Sequence, residues 1–195
     1  MCIYLFGFIF TLERIMDIAR DPIVNAVNDG IRRGISVAID NGCFGSAVIL
    51  IYSGIDAMGF LGMPKGQEDV TRFDFMRWAD KYIRFPCKEQ VSGADLYGAR
   101  CGMLHNYSAF SKMTRQGQCR TIGYMDKSVP EVRYEPNVSK SLVLVSVTGL
   151  AAAFFNGIDR YLVDLFSTRE RATLAEERLR KLVHCLPVPP EEAKG

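Results

Sequence analysis

From Asp21 onward, apolar residues recur every three or four positions along most of the chain, and this period predicts helices. In DPIVNAVNDGIRRGISVAID, Asp21 is placed to cap a helix and Pro22 suits its first turn. Ile23, Val27, Ile31, Ile35 and Ile39 follow at a spacing of four and make one apolar stripe. Asn41-Gly42 supplies the stop. The next stretch, CFGSAVILIYSGIDAMGFLGMP, is apolar almost all round, as a helix at the centre of a bundle is. Roughly 20 apolar residues would also span a bilayer, but Asp56 in its interior and its polar neighbours favour the core.

Gly62, Pro64 and Gly66 break the pattern, and Thr71-x-x-Asp74 reads as a capping box opening FDFMRWADKYIRF. Phe75, Trp78, Ala79 and Tyr82 share one face of that helix, which Pro86 ends. CKEQVSG links it to a helix containing LYGARCGMLHNYSAF, for which Ser92 or Asp95 is the cap. Past Phe110 the texture changes. QCRTIGYM and SLVLVSVT are β-prone, lie either side of a polar stretch with Pro130 and Pro136, and predict a small two-stranded pair. Helix returns at Thr148 with Leu150, Phe154, Ile158, Tyr161, Leu162 and Leu165 in one stripe. Ser167-x-x-Glu170 reads as a capping box for the charged RERATLAEERLRKLVHCL, and PVPPEEAKG as a loose tail. The expected product is mainly α-helical: a bundle of about five helices with a minor β element, in one domain over residues 17–186. Residues 187–195 are the tail, and residues 1–16 are an apolar extension that the domain can dispense with.

Composition narrows the functions. A net charge of +2 is too small to mark the whole surface for nucleic acid or membrane, so an RNA-binding surface has to be a local patch. The six cysteines, at 2, 43, 87, 101, 119 and 185, include no C-x-x-C pair, and no histidine stands at ligand spacing from them. No metal or other cofactor is therefore expected. Without a secretion signal the cysteines read as reduced and the protein as cytoplasmic. MCIYLFGFIF has no basic residue ahead of it and no small-residue cleavage site behind it. It is also about half the length of a bilayer span, so stable membrane insertion is not expected. DIARDPIVNAV after Met16 reads as a natural beginning.

The one constellation with evident chemistry is Arg100-x4-His105-x-Tyr107. Imidazole is the side chain suited to moving protons near neutral pH. A guanidinium is a fixed cation with a fork of donors that fits a phosphate. Together they suit transesterification of RNA, in which the substrate's own 2′-hydroxyl attacks and no metal is required. On a regular helix Arg100 and Tyr107 point the same way, whereas His105 is turned by about 140° from Arg100. The three meet in one groove only if it crosses a helix end.

This spacing resembles the R-x4–6-H motif of the HEPN superfamily, small α-helical bacterial proteins that include ribonuclease toxins. Tyr107 extends it to the R-x4-H-x-Y form of toxins whose partner is a nucleotidyltransferase. The resemblance covers about eight residues and the general helical content. It implies a helical bundle, a homodimer whose paired motifs form one site, metal-independent RNA cleavage, and an antitoxin such as a small nucleotidyltransferase. Carried over, Arg100 holds phosphate, His105 does acid–base work, and Tyr107 is a modified or substrate-contacting residue, with Asn106 beside it in support. The residue after the arginine, often asparagine in active members, is Cys101.

Lys112, Arg115 and Arg120 follow the motif and are the candidate basic patch for an RNA backbone. Tyr52, Asp56 and Asp80 are candidates to support or pair with Arg100. Cys101, one helical turn from His105, is a further candidate nucleophile, and His184 has no assigned role. The alternative reading is a non-catalytic helical module for dimeric interaction or nucleotide binding, in which Arg100 serves an ion pair. The surroundings of Arg100 and His105 discriminate between the two.

Overall fold

Asp21 does cap the first helix, its carboxylate accepting from the backbone N–H groups of Ile23 at 2.8 Å and Val24 at 3.2 Å. The computed structural model describes residues 21–126, 131–135 and 137–182. The expectations for residues 1–16 and 187–195, and for His184, lie outside the described residues. Helix α1 runs without a break from Pro22–Asn25 through a π-helical segment, Ala26–Arg32, to Arg33–Asp40. The wide turn has a sequence cause. A strict spacing of four overshoots an α-helical turn by about 40° at each step, so five such positions drift away from any one face. The i→i+5 bonding of a π segment takes up that drift. Ile23, Val27 and Ile35 are buried, and Ile31 and Ile39 pack on the core from its edge. A Schellman stop follows at Gly42 (φ 71°), with Cys43 N–H donating to Ala38 and Gly42 N–H to Ile39.

Helix α2 (Phe44–Leu61) is the centre of the bundle, touching four long helices, α1, α3 (Arg72–Tyr82), α4 (Gly93–Asn106) and α6 (Val147–Leu165), and also α7 (Arg169–Leu179). Among the described residues it is the one helix long and apolar enough to cross a membrane, and half of it is buried inside the protein, as a core helix is. Gly54 and Gly59 let its neighbours come close. A β-carbon at Gly54 would lie 2.7 Å from the Phe154 ring, and one at Gly59 would lie 3.3 Å from the α3 backbone. Trp78, Tyr82, Phe154 and Tyr161 pack edge-on or tilted around the α3–α6 contact, with ring centroids 5.3–5.9 Å apart. Two polar atoms in this cluster, Trp78 Nε1 and Tyr161 Oη, are buried without a hydrogen-bond partner among the described residues. Each such group typically costs about 1–3 kcal/mol.

Seven helices are described, more than the about five expected, and the one that the sequence pattern did not announce is α5 (Lys112–Arg115), a single turn; α7 follows α6 as a separate helix, as its capping signal indicated. The cap of α7 is Thr168, one residue beyond the expected Ser167, whose hydroxyl instead donates to the Asp164 carbonyl at 2.6 Å. The β element also differs. Strands β1 (Thr121–Met125) and β3 (Leu142–Ser146) do pair, in parallel, and β2 (Val132–Tyr134) pairs antiparallel on the other side of β3, giving the order β1-β3-β2. A three-residue strand inside a polar stretch carries too little alternation to be read from sequence.

Candidate functional site

Helix α4 carries the motif, and its beginning is fixed more tightly than its end. Ser92 Oγ accepts from Asp95 N–H at 3.1 Å, and the Asp95 carboxylate accepts from Ser92 N–H at 3.0 Å, a reciprocal capping box. The same carboxylate accepts from Arg120 N–H at 2.7 Å and from its guanidinium at 2.8 and 3.1 Å. Asp80 on α3 accepts from Gly93 N–H. Arg120 also binds Glu89 and the Gln90 carbonyl, so its guanidinium is committed to seating α4. Asp80 likewise belongs to this helix start, and Tyr52 shares a 2.6 Å hydroxyl bond with Tyr124.

Two turns along, Arg100 turns inward to α2. Its Nε and Nη2 lie 2.9 and 2.8 Å from one oxygen of Asp56, and the guanidinium sits over the Tyr97 ring at 5.8 Å. Of the three residues expected near Arg100, Asp56 is the one that meets it. Both side chains are about a quarter exposed. Burial holds the Asp56 carboxyl above the usual carboxylate range even with Arg100 beside it. Burial alone would lower the Arg100 guanidinium, but the attraction of Asp56 outweighs it and raises it. Removing Arg100 therefore strands a half-buried carboxylate. Arg100→Ala is expected to cost about 1–3 kcal/mol, between the values for exposed and buried pairs. Adding Asp56→Ala should restore part of that loss in urea unfolding; strictly additive losses would deny the coupling.

Helix α4 stays regular through Asn106, so His105 keeps its turn of about 140° from Arg100. His105 and Asn106 are exposed, and His105 makes no hydrogen bond or ion pair among the described residues. Tyr107 ends the helix in the left-handed conformation (φ 50°, ψ 41°). That twist lays its phenol against the first turn of α2, where a β-carbon on Gly45 would be 1.6 Å from Tyr107 Oη. The chain then folds back over Gly102, where a β-carbon would meet the Ser108 carbonyl at 2.3 Å. This turn leads into α5, where Lys112 and Arg115 are exposed and unpaired among the described residues. One chain thus brings Arg100 to Asp56 and points His105 into solvent, without closing them into one pocket.

Cys101 is half-buried on α4. Cys119 packs beside Gly98, and burial, Asp95 and Cys101 push its thiol up to about 11, so it stays protonated. No cluster of three or more metal-ligating side chains occurs among the described residues. Sequence reading missed Arg178, a buried cation on α7 that donates to the carbonyls of Leu61, the last residue of α2, and of Met63 and Pro64 just beyond it. Nothing in RERATLAEERLRKL sets Arg178 apart from the other arginines of the segment. Compared with known proteins, the chain matches no protein-family model, no curated protein and no solved structure.

Proposed function

We propose that this chain is a HEPN-like, cytoplasmic helical protein that acts on RNA as a metal-independent endoribonuclease, working as a homodimer. The observation that carries the reading is the pairing of a positioned Arg100 with an exposed, unpartnered His105 on one rigid helix. Asp56 occupies the Nε–Nη2 edge of the guanidinium and leaves Nη1 without a partner among the described residues. Arg100 is thus oriented while keeping donors for a phosphate. His105 withdraws the proton of the RNA 2′-hydroxyl. The 2′-oxygen attacks phosphorus, the 5′-oxygen leaves and takes a proton, and a 2′,3′-cyclic phosphate remains. A second copy supplies the second imidazole and a facing Arg100, and a two-fold dimer is the commonest way to bring two copies of one motif together. Lys112 and Arg115 extend the cationic surface along the RNA backbone.

The second reading, a non-catalytic interaction module, draws on the same ion pair: Asp56 neutralises Arg100. The two readings part on activity. The purified chain is expected to cleave a mixed RNA pool in EDTA, leaving 2′,3′-cyclic phosphate ends, and to scatter light as about twice 21.9 kDa. A folded chain that leaves every RNA intact favours the module.

A further inference from the structure

A cleft of about 400 Å³ lies where the end of α2, the face of α3, α6 and the first turns of α7 meet, and neither Arg100 nor His105 borders it. Its size falls in the roughly 300–1,000 Å³ range of small-molecule sites. The two unpartnered buried polar groups of the core, Trp78 Nε1 and Tyr161 Oη, belong to residues that line it. Both are donors. An indole N–H can only donate, and burial keeps the Tyr161 phenol protonated by raising it well above the usual range. Lys65, Arg77, Lys81 and Arg171 stand around them, against two lining carboxylates, Asp74 and Glu170.

Arg77 and Lys81 each have an acidic partner, but the lining cations still outnumber the lining carboxylates and leave Arg171 unpaired among the described residues and Lys65 loosely held. Asp74 is taken up by Arg77, Thr71 and Gln67. Glu170 reaches Lys65 only at 3.7 Å, with both side chains more than three-quarters exposed. Lys81 pairs with Asp164, outside the lining. Arg171 has no carboxylate partner among the described residues, and its Nη1 donates to the Asp164 carbonyl at 2.9 Å. The inventory is donors and cations, so the complementary ligand is rich in acceptors and negative. Met63, Pro64 and Leu174 add an apolar wall. A bare oxyanion would leave that wall and most of the volume unused.

We propose that this cleft is a binding site for a small organic phosphate of about nucleoside-monophosphate size. Its phosphate lies toward Arg171 and Lys65 and accepts from Trp78 Nε1 or Tyr161 Oη, and its body rests on the apolar wall. Small shifts of the two buried side chains bring those donors to the ligand. The site is separate from the α4 motif, since it gathers at the carboxyl end of α2 while Tyr107 packs on its amino end.

Trp78 is the sole tryptophan of the chain, so its fluorescence reports this cleft directly. Titration of the full chain with AMP is expected to change Trp78 emission saturably and to raise the melting temperature. Adenosine, which lacks the phosphate, should bind at least about tenfold more weakly, one charge-assisted contact being of that size. Tyr161→Phe keeps the ring that packs on Trp78 and removes only the hydroxyl; Arg171→Ala alters a mainly solvent-facing residue. Each should weaken AMP about tenfold while remaining folded by circular dichroism. His105→Ala should bind AMP as wild type does, whether or not the chain cleaves RNA, so the two sites fail or stand independently. Unchanged emission at millimolar AMP, equal affinity for adenosine, wild-type affinity in both cleft variants, or loss of binding in His105→Ala would each overturn the proposal.

Discussion

His105→Ala is expected to lower RNA cleavage by about 10²–10⁴-fold, the usual share of a positioned acid or base. The melting temperature should stay within about 2 °C of wild type, because exposed side chains without partners contribute little to stability. His105 fits that description: it is exposed and unpartnered among the described residues. Arg100 is the contrasting case. Arg100→Lys keeps a cation beside Asp56 but loses the fork, so the fold should hold while the rate drops by about 10²–10³, the usual cost of one transition-state contact. Rates are to be measured on one RNA at fixed salt, with melting temperatures alongside. A His105→Ala protein that cleaves at the wild-type rate would remove histidine from the chemistry, and an Arg100→Lys protein that does so would leave Arg100 as a purely structural cation.

Local signals in the sequence were read where they act locally. Asp21, Ser92 and the Thr71–Asp74 pair sit where their chemistry satisfies the free N–H groups of a helix start, and the structure uses each of them. The all-apolar α2 was read as a central helix in preference to a bilayer span, and it is central to the bundle. The failures are of two kinds. Ser167 and Thr168 are adjacent hydroxyls with similar capping ability, and sequence alone does not separate them; Thr168 caps α7 and Ser167 donates to the Asp164 carbonyl. Arg120 and Arg178 look in sequence like any surface cations, since the carboxylate and carbonyls that hold them lie 25 and more than 110 residues away. Long-range pairing leaves no periodicity. The same holds for the cleft, whose lining is drawn from residues between Gly59 and Leu174 on four helices and a loop. The motif on α4 was legible because its residues share one helix; whether they share a pocket was not, because that depends on a second surface.

Asp95→Ala is expected to be the most destabilising single change in the helix that carries the site. Asp95 is 3% exposed and closes the capping box of α4, and its carboxylate also holds the Arg120 backbone and guanidinium. Truncation would leave the N–H groups of Ser92 and Arg120 without this acceptor and free Arg120 from its more buried partner. Breaking one side of a buried pair costs about 3–5 kcal/mol; Arg120 is partly exposed and retains Glu89, so about 2–4 kcal/mol is expected here. For a chain of this size that lowers the melting temperature by about 5–15 °C. The charge origin of the effect can be separated by acid. Burial would raise the Asp95 carboxyl, but hydrogen bonds from Arg120 and Ser92 outweigh it and hold it below the usual carboxylate range. A depressed folded-state value stabilises above the unfolded value of about 3.9 and loses that contribution as pH falls through the folded value. The gap in urea stability between wild type and Asp95→Asn should thus be full at neutral pH and shrink steadily below about pH 4. A gap that is the same at both ends would assign the loss to packing and remove the ion pair from the account. With the pair intact, Asp95 ties the first turn of α4 to the residue that precedes β1, and α4 then projects Arg100 and His105 from a fixed origin.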